Sequence, residues 1–381
     1  MVPVITLTSL ENGEISYEIG PDRTLVLPRR ERPASLTFRL EAHRGPEPIG
    51  VSVETEAAGA LASVESARPA DLLARWQRAE AVLEPLLLAV VRALCAGQPL
   101  AEAAHVPVRI EPAPGLLVVP LRTPTLPPAT HTNCVLAGQR ELALIEPATP
   151  YEDEVARLDA ILRELAAAGR RVVALLLTHH HQDHVAAAAR LRARLGVPLL
   201  AHRETARRID VAVDRELGDG EIAFGLRALF TPGHAPGHLC FLEPRTRTLV
   251  AGDMVAGEGT ILISPLDEGD MGTYLDSLAR LSALDLHALV PAHGPPTASP
   301  RALLEHYIRH RLMREQRVLA ALAAHGGAAR PEDILPQVYE DTPQAAWPLA
   351  ALSLDAHLAK LLRDGRARQE GATWRLVESH G

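Results

Sequence analysis

An aliphatic run at residues 171–177 ends abruptly in Thr178-His179-His180-His181-Gln182-Asp183-His184. The run reads as a buried strand, and four imidazoles with a carboxylate directly behind it are not core packing. Imidazole and carboxylate are the usual ligands of a borderline divalent metal such as zinc. In an irregular loop His179 and His181 can converge on one ion, while Asp183 and His184 turn toward a second. His180 and Gln182 occupy the alternate positions and point away. Three more segments repeat the pattern: 229–233 ends at His234, 248–252 ends at Asp253, and 289–292 ends at His293. Each candidate ligand lies just past a strand end, where sheets of this kind present their sites.

Around these segments the chain alternates strand and helix. Residues 141–145 read as a strand, 151–168 as a helix stopped by Gly169, 185–195 as a helix and 197–201 as a strand. A Pro-rich stretch at 106–128 suits extended segments or a linker. Three regions follow: an accessory α+β domain at 1–105, a catalytic α/β domain at 106–300, and a C-terminal domain at 301–381. The first has short strand-like pieces at 15–19 and 24–27 and helices at 69–80 and 81–95. Its 69–76 segment faintly resembles the tail of degenerate Nudix-like domains. The third has helices at 301–325, 331–338 and 350–364, then strands at 366–369 and 373–377, the pattern of a winged helix.

Composition narrows the partners. A net charge of −8 argues against non-specific nucleic-acid binding, and duplex DNA is disfavoured. Cys95, Cys134 and Cys240 are far apart, which suits a reducing compartment, with Cys134 and Cys240 as small buried hydrophobes. The first ten residues have no signal-peptide pattern, and the most apolar stretch, 81–95, is too short and too charged to span a bilayer. A cytoplasmic chain without a membrane partner is expected. Arg301, Arg309, Arg311, Arg314 and Arg317 form a basic helix face, read as solvated beside Glu305 and Glu315 or as a guide for an anionic substrate.

The spacing His179-x-His181-x-Asp183-His184, followed in order by His234, Asp253 and His293, resembles the metallo-β-lactamase superfamily over about residues 110–299. More narrowly, Gly257-Glu258-Gly259-Thr260, the helix at 271–281, Tyr307-Ile308-Arg309-His310-Arg311 and the winged-helix tail resemble the β-lactamase-like protein 2 branch. The resemblance implies an αββα sandwich with a two-metal site. His179, His181 and His234 would hold one Zn2+ and Asp183, His184 and His293 a second, with Asp253 between them; iron or manganese is the alternative. It further implies hydrolysis by a metal-bridging hydroxide, with Asp183 as ligand and proton acceptor. The substrate would be an anionic small molecule such as a thioester, or single-stranded RNA, and the tail would close over the site or form a homodimer. One departure stands out: Glu146 occupies a strand-end position that usually carries Asp.

Other histidines read more plainly. His238 is a loop or supporting residue, His131 borders either the pocket or the structure, and His202 and His287 are structural or exposed. Two rival functions remain: an iron-dependent, persulfide dioxygenase-like oxidoreductase, and a silent binding protein. No ligand position is lost, which disfavours the latter. No Gly-x-Ser-x-Gly elbow competes for the chemistry.

Overall fold

The computed structural model describes residues 110–257 and 259–377, together with 15–18, 39–40, 51–52, 64–67, 69–78, 92 and 95. In the N-terminal region Ile15–Glu18 pairs antiparallel with Val64–Ala67, and Pro69–Gln77 is helical. The expected strand at 24–27 and the body of the expected helix at 81–95 lie outside the described residues. Trp76 is buried under the Arg92 guanidinium, which also reaches Glu111 at 2.6 Å.

Two sheets face each other. The first has seven strands, in the order Arg215–Glu216, Leu199–Ala201, Arg171–Leu176, Glu141–Ile145, His131–Ala137, Leu116–Arg122 and Ile110–Ala113. The second has five, Ile222–Ala223, Leu226–Phe230, Leu239–Glu243, Thr248–Gly252 and Ala288–Pro291. Strand periodicity explains the layering, because successive side chains point to opposite faces. Val118, Val135, Ile145 and Leu176 point inward and meet Ala228, Phe241, Val250 and Val290 of the other sheet. Their sequence neighbours Leu117, Val119, Leu136 and Leu175 point outward onto the helices Glu152–Ala167 and Ala188–Leu195. On the far side, Leu229, Cys240, Leu249 and Ala251 pack against Met271–Ser282 and Pro300–Ala324. The result is the αββα sandwich. Each fully buried aliphatic or Phe side chain in it is worth on the order of 1.5–3 kcal/mol.

From Ile110 to Arg122 the Pro-rich stretch is a working part of the first sheet. Pro112 lies in its edge strand, where the ladder register shifts between Ile110 and Ala113, and Pro120 lies in the strand beside it. An edge strand with an interrupted ladder tolerates a residue that cannot donate. The helix expected at 185–195 is split. A short helix, Gln182–Val185, begins inside the histidine-rich loop, and Ala188–Leu195 follows as a second.

The C-terminal domain has the helices Pro300–Ala324, Pro331–Val338 and Trp347–Arg363. Its sheet has three strands, in the order Ala328–Ala329, Thr373–Leu376 and Ala367–Glu370, one more than the sequence suggested. This is a winged helix with its own core around Val318, Leu322, Ile334, Leu354, Leu358 and Trp374. Among the described residues no helix is long and apolar enough to cross a membrane.

Candidate metal centre

Every segment singled out at a strand end arrives at one edge of the sandwich. The loop after Arg171–Leu176 is tied to the second sheet by Leu239 N–H donating to Thr178 O at 2.8 Å. Ala292 N–H donates to Gly252 O at 3.0 Å, and Asn133 N–H to Ala292 O at 2.8 Å. The segments carrying His179–His184, Asp253 and His293 are thereby fixed by backbone bonds that cross between strands.

The first cluster is three imidazoles. His179 Nε2 lies 2.9 Å from His181 Nδ1 and 3.3 Å from His234 Nε2, and His181 Nδ1 lies 3.0 Å from His234 Nε2. The opposite nitrogens are engaged elsewhere. His234 Nδ1 donates to Leu262 O at 2.9 Å, and His179 Nδ1 meets Thr178 Oγ1 at 2.9 Å. With the ring proton on the far side, a lone pair on each near nitrogen faces the others. Three converging lone pairs repel unless a cation sits among them. Two donors bound tetrahedrally to one zinc ion at 2.0–2.1 Å lie roughly 3.3 Å apart, close to the separations seen here.

The second cluster is Asp183, His184 and His293, whose candidate ligand atoms also lie close together. His293 Nε2 is 3.6 Å from Asp183 Oδ2, and His184 Nε2 is 3.7 Å from Asp183 Oδ1. The outer nitrogens are again spoken for. His184 Nδ1 bonds to Glu146 Oε2, and His293 Nδ1 donates to His131 O at 3.0 Å.

Asp253 stands between the clusters. Its Oδ2 is 3.5 Å from His234 Nε2, while its Oδ1 is 3.3 Å from His293 Nε2 and 3.6 Å from His184 Nε2. His184 Nε2 and Asp253 Oδ1 are both buried without a hydrogen-bond partner. Buried polar atoms are otherwise nearly always paired. A separation of 3.6 Å is too long for a hydrogen bond but suits two ligands of one ion. The donor set therefore fits a pair of divalent cations.

The electrostatics divide in the same way. Burial, with the neighbouring imidazoles His184, His181 and His234, pushes His179 well below the usual histidine range. Burial and His181 bring His234 down to about 4. Both are neutral at pH 7, the form that ligates. On His184 burial acts against charge, but Glu146, Asp253 and Asp183 outweigh it and hold the ring well above its ordinary value. On His293 burial is likewise outweighed by Asp253. Burial would raise the Asp253 carboxyl, yet His293 and His184 keep it well below the carboxylate range.

Supporting residues complete the picture. His238 is fully buried behind the first cluster, its ring centroid 5.2 Å from that of His179. Its Nε2 accepts from Asp253 N–H at 3.1 Å, and its Nδ1 meets Thr231 Oγ1 at 2.9 Å, so it holds the backbone of Asp253. Asn133 Nδ2 donates to Pro291 O and Gly294 O, both at 2.8 Å, bracketing His293. Glu146 accepts from Thr178 N–H at 3.0 Å as well as bonding His184. His131 contributes through its carbonyl, with an exposed ring on Thr130. His202 caps a short helix and stacks on Phe230. Sequence reasoning missed Asn133 and Asp267, a carboxylate 2.6 Å from His181 Nε2. No motif flags either residue, because both reach the site from segments distant in sequence.

Gly252 is forced by its surroundings. Its φ is +50°, and a Cβ there would sit 2.5 Å from His238 Nε2 and 3.0 Å from Thr178 Cβ. Gly252→Ala is expected to cost about 2 kcal/mol or more, read as a lowered denaturation midpoint. An unchanged midpoint would show that His238 and Thr178 can move aside freely.

The comparisons with known proteins agree with this geometry. Residues 127–293 match the metallo-β-lactamase superfamily, and residues 331–374 match the β-lactamase-associated winged helix domain. A β-lactamase-like protein 2 homolog of Drosophila melanogaster is 33% identical over 144 residues, covering 38% of this chain and 47% of that protein. The lactamase-like protein adaB of Aspergillus niger is 34% identical over 158 residues, covering 38% and 48%. The chain thus spans under half the length of these curated relatives. Among solved structures, a metallo-β-lactamase family protein from Thermus thermophilus superposes with a TM-score of 0.58 at 25% identity, covering 69% of this chain and 99% of that one. A β-lactamase domain protein from Burkholderia ambifaria gives 0.62 at 20% identity, covering 72% and 96%, a likeness of fold.

Proposed function

Because the chain belongs to the metallo-β-lactamase superfamily of metal-dependent hydrolases, we propose that it cleaves a carboxylic thioester or ester at a dinuclear zinc centre. His179, His181 and His234 would hold one ion and Asp183, His184 and His293 the other, with Asp253 within reach of both sets. When bound, such ions acidify water and polarise a carbonyl oxygen. Asp183 lines the pocket and is placed to accept the proton of the attacking water. Asp253 keeps the two sets of ligands in register. His238 and Asn133 hold the backbone that presents Asp253 and His293.

The observation that carries the choice of substrate is the pocket wall. A cavity of about 300 Å³ opens over the cluster, walled by Leu126, Ile261, Leu262 and Leu352 beside Thr125 and Thr260. Among the described residues no Lys or Arg side chain lines it. A polynucleotide is gripped through its phosphates by cationic side chains, and the described residues of this wall offer none. No arginine of the long helix is among the residues that line this cavity. Arg311 is buried and donates to Ile261 O, Arg314 is buried against Val338 O and Asp341, and Arg309 pairs with Glu305. An apolar acyl chain fits such walls.

The test sets a short-chain acyl thioester and a single-stranded RNA against the same preparation, each with and without chelator. The expected result is thioester turnover that chelation abolishes and added zinc restores, with the RNA intact. RNA cleavage without thioester turnover would overturn the substrate assignment. Stoichiometric iron with oxygen consumption would favour the oxidoreductase reading instead.

A further inference from the structure

Residues 261–270 run as a strap along one wall of the pocket, which Ile261, Leu262, Ser264 and Asp267 line. The strap makes a single turn at Pro265–Asp267, with Ser264 Oγ accepting from Leu266 N–H at 3.3 Å and Ser264 O accepting from Gly269 N–H at 2.8 Å. That turn sets the Asp267 Oδ2 atom 2.6 Å from His181 Nε2. Five residues earlier, Leu262 O takes the Nδ1–H of His234. One segment therefore faces two of the three converging imidazoles at the nitrogen turned away from the cluster, its Leu262 carbonyl bonding His234 and its Asp267 carboxylate in close contact with His181.

An imidazole has two nitrogens and, when neutral, one proton. Whichever nitrogen is bound to an acceptor keeps the proton and leaves the other free to ligate. Without an acceptor at Nε2, His181 could carry its proton on Nδ1 and turn a donor toward His179 and His234. We propose that Asp267 is a positioning residue that holds His181 with Nδ1 as its lone-pair face, and so sets the metal affinity of the three-histidine site. The proposal rests on the two-metal reading given above. The strap is anchored from outside the pocket. Arg311 donates to Ile261 O, and Arg363 of the winged helix pairs with Asp270. Asp270 N–H in turn donates to Gly233 O at 2.7 Å, immediately before His234. His180 is the other ring near Asp267, at 3.9 Å, beyond hydrogen-bonding distance.

The experiment titrates zinc alone into full-length wild type, Asp267→Ala and Asp267→Asn, in competition with a chromophoric chelator. Wild type is expected to take up two ions per chain. In Asp267→Ala one of the two binding steps weakens by about 10–100-fold, the usual cost of losing such an outer partner, and the other step is unchanged. Asp267→Asn retains an amide oxygen to accept from Nε2–H and recovers most of the loss. Asp267 is more than half exposed, so both variants are expected to fold. Equal zinc affinities in all three proteins, with only the unfolding midpoint altered, would overturn the proposal and leave the two-metal reading intact. A wild-type chain that takes up no zinc would overturn both.

Discussion

Replacing Asp253 by alanine lowers the metal content from about two ions per chain to one or fewer, and hydrolysis falls by a factor on the order of 10² to 10³ or more. The reason is geometric. Asp253 alone offers an oxygen to each cluster, 3.5 Å from His234 on one side and 3.3 Å from His293 on the other. It is also a negative charge among buried imidazoles, and without it both ions meet a more repulsive site. The side chain is nine-tenths buried, yet alanine leaves the backbone bond from Asp253 N–H to His238 possible. Loss of metal is therefore expected without loss of fold. Elemental analysis of wild type and variant, paired with a thermal melt, checks the claim. Two ions retained in a folded variant would remove Asp253 from the centre.

Glu146→Ala is expected to have the largest effect on stability. Glu146 is almost completely buried and adopts a φ of +61°, which is unusual for a residue with a side chain. Its carboxylate accepts from Thr178 N–H and bonds His184 Nδ1, so its removal strands a backbone donor and a ring nitrogen in the interior. Breaking a buried pair from one side costs about 3–5 kcal/mol. At roughly 2–4 °C per kcal/mol for a domain of this size, the melting temperature falls by roughly 6–20 °C. Glu146→Gln separates folding from ligation. Its amide oxygen can still accept from Thr178, but its NH2 would face His184 Nδ1 and drive the proton to Nε2. A folded Glu146→Gln chain with second-site affinity reduced about 10–100-fold is the expected result. If it binds two ions as tightly as wild type, the carboxylate does not orient His184.

The candidate ligand set was legible because it is written locally. Apolar runs that stop in His or Asp can be read at 171–184, 229–234, 248–253 and 289–293 without knowledge of pairing, and the structure brings all four endings together. The supporting residues were not legible, since their roles depend on register. Asn133 reaches Pro291, beside His293, across 158 residues of chain, and Asp267 meets His181 from a turn 86 residues downstream. Glu146 stood out as a departure from the usual residue type, but its reach to both Thr178 and His184 is a matter of three dimensions. The basic helix shows the opposite failure. In one dimension Arg311 and Arg314 look like an exposed face, yet both are buried, Arg311 against Ile261 and the Tyr274 ring and Arg314 against Val338 and Tyr339. The third strand of the wing was missed because Ala328–Ala329 is two small residues with no alternation to detect.

Leu352 closes the pocket from a helix that belongs to the winged domain, 59 residues beyond His293. On the proposed function, chemistry and selectivity occupy separate modules of the chain. Variation within Trp347–Arg363 can reshape what the cavity admits while every ligand stays in place, so substrate range can drift across descendants of such a chain at no cost to the reaction it performs.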